Sequence, residues 1–554
     1  MAALWALLLG LASAANADGG SMAPTPVTIS IVGTNDLHGH LEALPLLGGY
    51  LANVRRARAR DGGGVVLVDA GDMFQGTLAS NLGEGAAVVR AYDALRYDAA
   101  ALGNHEFDFG PVGPSSTPLA RGDDPRGALK ARAAEAPFPF LDANLIEIAT
   151  GAPPAWPHIR PTTIVDVAGI KVGIIGVTTF STPATVLPSN FVGLRVAPLA
   201  PTVRRAAEGL RRRGAKVVVV AAHAGGGCRD NEVPDDLRSC EVDSEIFQLA
   251  RALPAGAVDV IVAGHTHDGI AHRVAGVAIT EAFANGRGFG RVDLSVDPAS
   301  GRIADVRVQP LQLLVRPEHG RWPSYEGKPV TVDAVVADAI APALAAARAR
   351  HERRLDVELD APITRAYRTE SPLGNLFADL MRAARPGADV AITNGGGLRA
   401  DLPAGPLTYG ALFEAMPFDN RFASVAITGA ELAQIVARNL TRKNGIISVS
   451  GVRARARCVG SSLDVTLTSA DGRPIGRAQR LALVTSDFLA TGGDGLMPEL
   501  AKRAVIDEDH LIRDALVDQL GARKGAVGLR DAGYDPAHPR LDYPAARPVR
   551  CAAP

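Results

Sequence analysis

What the chain most clearly lacks is an excess of charge of either sign. Its 58 lysines and arginines face 59 aspartates and glutamates, a formal net charge of −1. Following a nucleic-acid backbone takes a basic face, so near-neutrality sets nucleic-acid polymers aside as a general partner. No apolar run reaches the roughly 20 residues needed to span a bilayer. The one candidate, residues 4–12, has signal-peptide length and is followed by the small residues Ala15-Asn16-Ala17. Residues 1–17 are therefore expected to be a cleaved leader, although the usual positive start is missing, and the mature protein to be exported, periplasmic or secreted. Internal repeats are lacking too, which excludes a solenoid. Cysteine is scarce, with four in 554 residues. Four suit an exported protein with up to two disulfides. Cys228 and Cys240 flank a polar loop and form one candidate pair; Cys458 with Cys551 would tie down the C-terminal tail.

The chain is too long for one core, so more than one domain is expected. From residue 27 to about 310, short β-branched runs (27–32, 65–68, 217–220, 258–262) alternate with Ala-rich helical stretches such as 86–96 and 200–213. Runs of this kind, bounded by Gly or polar residues, read as strands of an α/β sheet covered on both faces. A hairpin is expected through Ala168-Gly169 and a surface loop over 111–126. Pro, Arg, His and Gly then crowd residues 310–329, a domain edge. Residues 332–355 read as a helical linker interrupted by Pro342. A second unit follows, with a helix near 373–384 and a strand near 481–485. The expected organisation is a catalytic domain over 27–325, the linker as a hinge, and a second α/β domain over 356–545.

Five apolar runs end on residues able to bind a metal. They end in Asn35-Asp36-Leu37-His38-Gly39, in Asp69-Ala70-Gly71-Asp72, in Gly103-Asn104-His105-Glu106-Phe107-Asp108, in Ala222-His223, and in Gly264-His265-Thr266-His267. Ligands collect at the carboxyl ends of strands in α/β sheets, so these residues should converge. Asp36, His38, Asp72, Asn104, His223, His265 and His267 make seven donors. One tetrahedral ion needs three or four, so seven point to two ions sharing a carboxylate. The glycines beside each motif would let the chain turn there. In the second half, three Gly-containing motifs stand out: Glu370-Ser371-Pro372-Leu373-Gly374-Asn375, Asn394-Gly395-Gly396-Gly397-Leu398-Arg399 and Thr491-Gly492-Gly493-Asp494-Gly495. A Gly-rich turn beside an Arg suits close approach to a phosphate or ribose oxygen.

The five strand-end motifs resemble those of the calcineurin-like metallophosphoesterases. Together with the C-terminal motifs, the chain resembles the 5′-nucleotidase family over about residues 27–545. The resemblance implies a four-layer αββα catalytic domain and a substrate-gripping second domain. It also implies two divalent ions (zinc, manganese or cobalt), with Asp36, His38 and His267 on the first, Asn104, His223 and His265 on the second, and Asp72 bridging. His105, oriented by Asp108, would act on the phosphoryl group, while Glu106 supports the loop. Asn394 and Arg399 match the family's Asn-Gly-Gly-Gly-x-Arg motif, Phe418 and Phe488 the two aromatics that sandwich a base, and Asp494 the carboxylate that binds ribose hydroxyls. Where the family commonly carries an Arg, this chain has Tyr367, so Arg368 or Arg365 would have to substitute.

The function implied is hydrolysis of nucleoside 5′-monophosphates to nucleoside and phosphate by a metal-activated water, with UDP-sugars or other nucleotides compatible. The enzymatic alternative is a 2′,3′-cyclic-nucleotide 2′-phosphodiesterase/3′-nucleotidase, a relative that tends to carry Asn where this chain has Asp108. A sulfur-oxidation hydrolase on the same scaffold would leave the nucleotide-clamp motifs without a role. From another class, a nucleotide-binding surface protein with a vestigial site should have lost ligands, and all seven are present.

Overall fold

A computed structural model describes residues 26–317, 320–523 and 526–551. The expected leader, 1–17, lies outside them. In the N-terminal half the β-branched runs form two sheets rather than one. The first has strand order Ile303–Val308, Gly288–Val296, Val27–Thr34, Gly64–Asp69, Ala99–Ala101, Phe140–Leu141, Ile159–Arg160. The second runs Gly269–Val274, Val277–Ala282, Val260–Ala263, Val217–His223, Ile170–Thr178, Thr162–Val167.

Strand alternation explains how the layers stack. Ile29, Ile31, Val66 and Val68 of the first sheet meet Val217, Val219, Val260 and Val262 of the second in a shared core. The alternate residues face outward: Val32 and Leu67 toward the helices Leu44–Arg60 and Ala86–Leu95, Val218 and Val220 toward Leu199–Arg212 and Glu245–Ala252. The result is the αββα sandwich. The hairpin through Ala168-Gly169 forms the edge of the second sheet, with Ala168 at φ 53 and Gly169 at φ 77.

The segment read as an interrupted linker is a single helix, Ala334–His351, capped by the Asp333 side chain and continuous through Pro342. Pro342 is exposed, as is Asp338, the residue whose carbonyl loses its helical partner, so the lost hydrogen bond falls on the helix's exposed face and not in the core. The helix is also no free tether. Val336, Ile340 and Ala347 are buried in the outer core of the first sheet, and strand Arg354–Leu359 begins within the range read as linker.

The C-terminal unit is a five-stranded mixed sheet ordered Ile447–Ser450, Val390–Asn394, Arg480–Ser486, Arg421–Thr428, Val505–Leu511, with a separate apolar core on each face. Helix Pro372–Ala383 starts where Ser371 accepts from Gly374 N. Both cysteine pairs are disulfides: Cys228–Cys240 staples the loop after Val217–His223, and Cys458–Cys551 ties the tail to strand Val452–Val459.

Candidate active site

The carboxyl ends of both sheets open toward the C-terminal unit, and a cavity of about 510 Å³ lies between the two. The seven candidate donors gather as two groups at and beneath its floor, which Asp72, Asn104, His265 and His267 line. Asp36, His38, Asp72 and His267 form one, and Asp72, His223 and His265 the other, so Asp72 belongs to both. Asn104 joins the second group, its Oδ1 3.1 Å from His223 Nε2.

Proton bookkeeping shows what these groups are built for. His38 Nδ1 lies 2.8 Å from the Gln75 carbonyl oxygen and His223 Nδ1 2.9 Å from that of Ala70. A carbonyl only accepts, so each Nδ1 carries a proton, and the neutral ring presents a lone pair at Nε2. Burial disfavours a second proton on His223, but the Asp72 carboxylate outweighs it and raises its pKa to about 10. His38 Nε2 sits 3.1 Å from His267 Nε2. His223 Nε2 sits 3.1 Å from Asp72 Oδ2 and 3.2 Å from His265 Nδ1. Asp36 Oδ1 is 3.3 Å from His267 Nε2. A proton can bridge one such contact at a time, as the Arg399 guanidinium does at His38 Nε2, whereas a cation satisfies all the converging nitrogen and oxygen atoms at once. Imidazole, carboxylate and amide oxygen suit zinc, manganese or cobalt, so the residues fit divalent ions.

Asp72 is oriented for sharing. Its Oδ1 accepts from His105 N at 2.8 Å, which leaves Oδ2 facing His223 on one side and His38, 3.9 Å away, on the other. Behind it Glu106 accepts from the backbone N–H groups of Asp72, Met73 and Gly103, tying two strand-end loops together. His105 Nδ1 is 2.5 Å from Asp108 Oδ2. Burial disfavours the charged imidazole of His105, but the Asp108 and Asp72 carboxylates outweigh it and raise its pKa.

The turns at the metal motifs are made differently from the sequence expectation. Gly39 and Gly71 do take positive φ, yet so do five of the donors themselves: Asp36, His38, Asp72, His265 and His267, at φ 49 to 80. Non-glycine residues held there store strain that the surroundings must over-determine. Gly103 and Gly264 serve for space instead. A Cβ on Gly103 would stand 2.2 Å from Asp72 Oδ1, and one on Gly264 2.9 Å from Asp36 Oδ2.

The second unit supplies the cavity's other wall. The Arg399 guanidinium reaches across to 3.0 Å from His38 Nε2, and the Phe418 ring stands 5.5 Å from that of His105. Asn394 Nδ2 donates to Asp494 Oδ2 at 2.8 Å, and burial pushes the Asp494 carboxyl up to about 6 against that hydrogen bond. Phe488 packs on Gly493, where a Cβ would fall 2.5 Å from its ring. Arg368 borders the cavity but is exposed and lies 3.5 Å from Glu241 Oε1 of the first unit. Arg365 also borders it, with its guanidinium donating to Leu398 O. Sequence reasoning missed Asn35, whose Nδ2 donates to Asp36 Oδ2 at 2.7 Å, and Ser181, whose Oγ is 3.2 Å from His265 Nε2. Asn35 was detectable as a buried amide beside a candidate ligand; Ser181 lies in a loop with no motif.

A sandwich with such donors at its sheet ends is the framework of enzymes that cleave phosphoesters with divalent metals, and this protein is a metal-dependent phosphoester hydrolase. Residues 29–269 match the calcineurin-like phosphoesterase family and residues 347–502 the 5′-nucleotidase C-terminal domain. The chain belongs to the 5′-nucleotidase family. It is 26% identical to protein UshA of Yersinia enterocolitica over 529 residues, covering 87% of this chain and 90% of that protein. It is 28% identical to endonuclease YhcR of Bacillus subtilis over 491 residues, 84% of this chain, but spans only 37% of that longer protein. The crystal structure of a 5′-nucleotidase precursor from Thermus thermophilus superposes with a TM-score of 0.72 at 25% identity, covering 93% of this chain and 99% of that one.

Proposed function

We propose that the chain is an exported, dinuclear-metal phosphohydrolase that cleaves nucleoside 5′-monophosphates to nucleoside and phosphate. The observation that carries this reading is one cavity with metal-type donors on its floor and Arg399, Phe418, Phe488 and Asp494 on the facing wall. A cavity of about 510 Å³ falls within the range of small-ligand sites. Two divalent ions held by the seven donors, with Asp72 between them, would acidify a water and neutralise phosphoryl charge.

The chain's own groups do the rest. Arg399, close to His38, is placed to hold phosphoryl oxygens. His105, with Nδ1 engaged by Asp108, offers Nε2–H to the charge that develops on those oxygens. Phe418 and Phe488 stack the base with little discrimination among bases, and Asp494 and Asn394 face the ribose. The two disulfides and the N-terminal apolar stretch support export. Arg399 is the phosphate contact of this reading, and Arg368, exposed beside Glu241, borders the same cavity.

The test is phosphate release from 5′-, 3′- and 2′,3′-cyclic nucleotides and UDP-glucose, with manganese, zinc or cobalt added separately. Preference for the 5′-monophosphate is expected; faster release from the cyclic or 3′-nucleotides would favour the alternative chemistry. Phe418→Ala and Phe488→Ala should each raise KM for AMP by roughly 10- to 100-fold, since stacking is worth ~1–3 kcal/mol per base. Their kcat/KM for p-nitrophenyl phosphate, which has no base, should stay near wild type. An equal loss on both substrates would remove the clamp from the account.

A further inference from the structure

The strained loop carrying His265 and His267 has a clamp behind it. Glu281, 1% exposed in strand Val277–Ala282, pushes its carboxyl between that loop and the one following His223. Oε2 accepts from Gly226 N at 3.3 Å, and Oε1 from Asp268 N at 3.4 Å. Oε1 also lies 2.6 Å from Thr266 Oγ1, and the same Thr266 Oγ1 lies 2.6 Å from the Gly226 carbonyl oxygen. A hydroxyl owns one proton. The Gly226 carbonyl can only accept, so Thr266 spends its proton there. The second short contact then needs a donor from the Glu281 side, which a carboxylate cannot supply and a carboxylic acid can.

We propose that Glu281 is held as the neutral acid, donating from Oε1 to Thr266 Oγ1, and that this proton bridge is the positioning device for the loop of His265 and His267. The claim about the loop rests on reading those histidines as metal ligands. Several observations point the same way. His265 and His267 sit at φ 80 and 59, and a loop with two such residues must be fixed by its surroundings. On its other side His265 N already donates to the Asp36 carboxylate. Burial and the Asp36 carboxylate hold the Glu281 pKa well above the ordinary carboxyl range. The loops also meet too closely to admit a spacer: a Cβ on Gly225 would lie 2.3 Å from Thr266 Oγ1 and 2.6 Å from Glu281 Oε2.

The test pairs infrared difference spectroscopy with metal titration against a competing chelator, on wild type, Glu281→Gln and Glu281→Ala. At mildly alkaline pH the wild type should show a carboxylic-acid carbonyl band that Glu281→Gln lacks. The Gln amide can still donate to Thr266, so that variant should keep its metal affinity within about threefold. Glu281→Ala should lose roughly 10- to 100-fold, the usual cost of removing a group that orients ligands. No band lost, or a Gln variant as weak as Ala, would overturn the proposal; if the Ala protein does not fold, the band and the Gln titration decide. Wild type that takes up no metal would overturn the ligand reading and the positioning claim with it, while the infrared band still decides the proton.

Discussion

Asp72→Asn should abolish most turnover, by a factor on the order of 10³ or more, and reduce the bound metal from two ions per chain to one at most. Asp72 is the only residue shared by the two donor groups, and its Oδ2 faces both. A neutral amide there gives up the anionic charge that lets two cations sit side by side, and the several kcal/mol that a metal pair supplies to the transition state goes with it. Asn is the informative replacement because its Oδ1 can keep the hydrogen bond from His105 N. Asn also tolerates the left-handed backbone at φ 57 better than most residues. The fold should therefore persist while the centre fails. Phosphate-release kinetics and metal analysis of protein purified without chelator check both halves; a variant that keeps two ions and normal kcat would show that Asp72 does not bridge.

His105→Ala should do the opposite to the metals. Both ions stay, because the imidazole of His105 is not among the seven donors, and kcat falls by roughly 10²- to 10⁴-fold, the range for a positioned acid–base group. The expected loss sits in kcat because the Nε2–H bond strengthens as charge develops on the phosphoryl oxygens. Asp108→Asn should fall between the two enzymes: the ring keeps a partner 2.5 Å away but loses the carboxylate that favours its charged form. Normal turnover by His105→Ala would remove the dyad from the mechanism.

The convergence of these donors was legible because each donor group closes an apolar run, and strand ends in such a fold converge. What orients the donors was not legible. His38 and His223 are set by the carbonyls of Gln75 and Ala70, and a backbone oxygen leaves no mark on residue identity. The left-handed turns fall on the ligands as well as on Gly39 and Gly71, while Gly103 and Gly264 provide clearance, a division that residue identity does not display. Glu281 left a faint trace, as the single charged residue in a strand whose six positions are all buried. In the fold, Val217–Val220 are apolar at every position, so alternation could not reveal the two stacked sheets that the family resemblance implied; the partition of Val217 and Val219 from Val218 and Val220 between cores displays them. Pro342 misled because a proline's effect on a helix depends on whether the freed carbonyl meets water. Arg368 borders the same cavity as Arg399, and what sequence could not display is Glu241 of the other unit beside it.

The central claim is a pair of ions joined through Asp72, and electron paramagnetic resonance of the manganese-loaded protein tests it most directly. Titrated from zero to two equivalents per chain, the protein should develop the spectrum of an exchange-coupled manganese pair, and Asp72→Asn should not. A spectrum that stays the sum of isolated ions at two equivalents, or binding that stops at one, would contradict it.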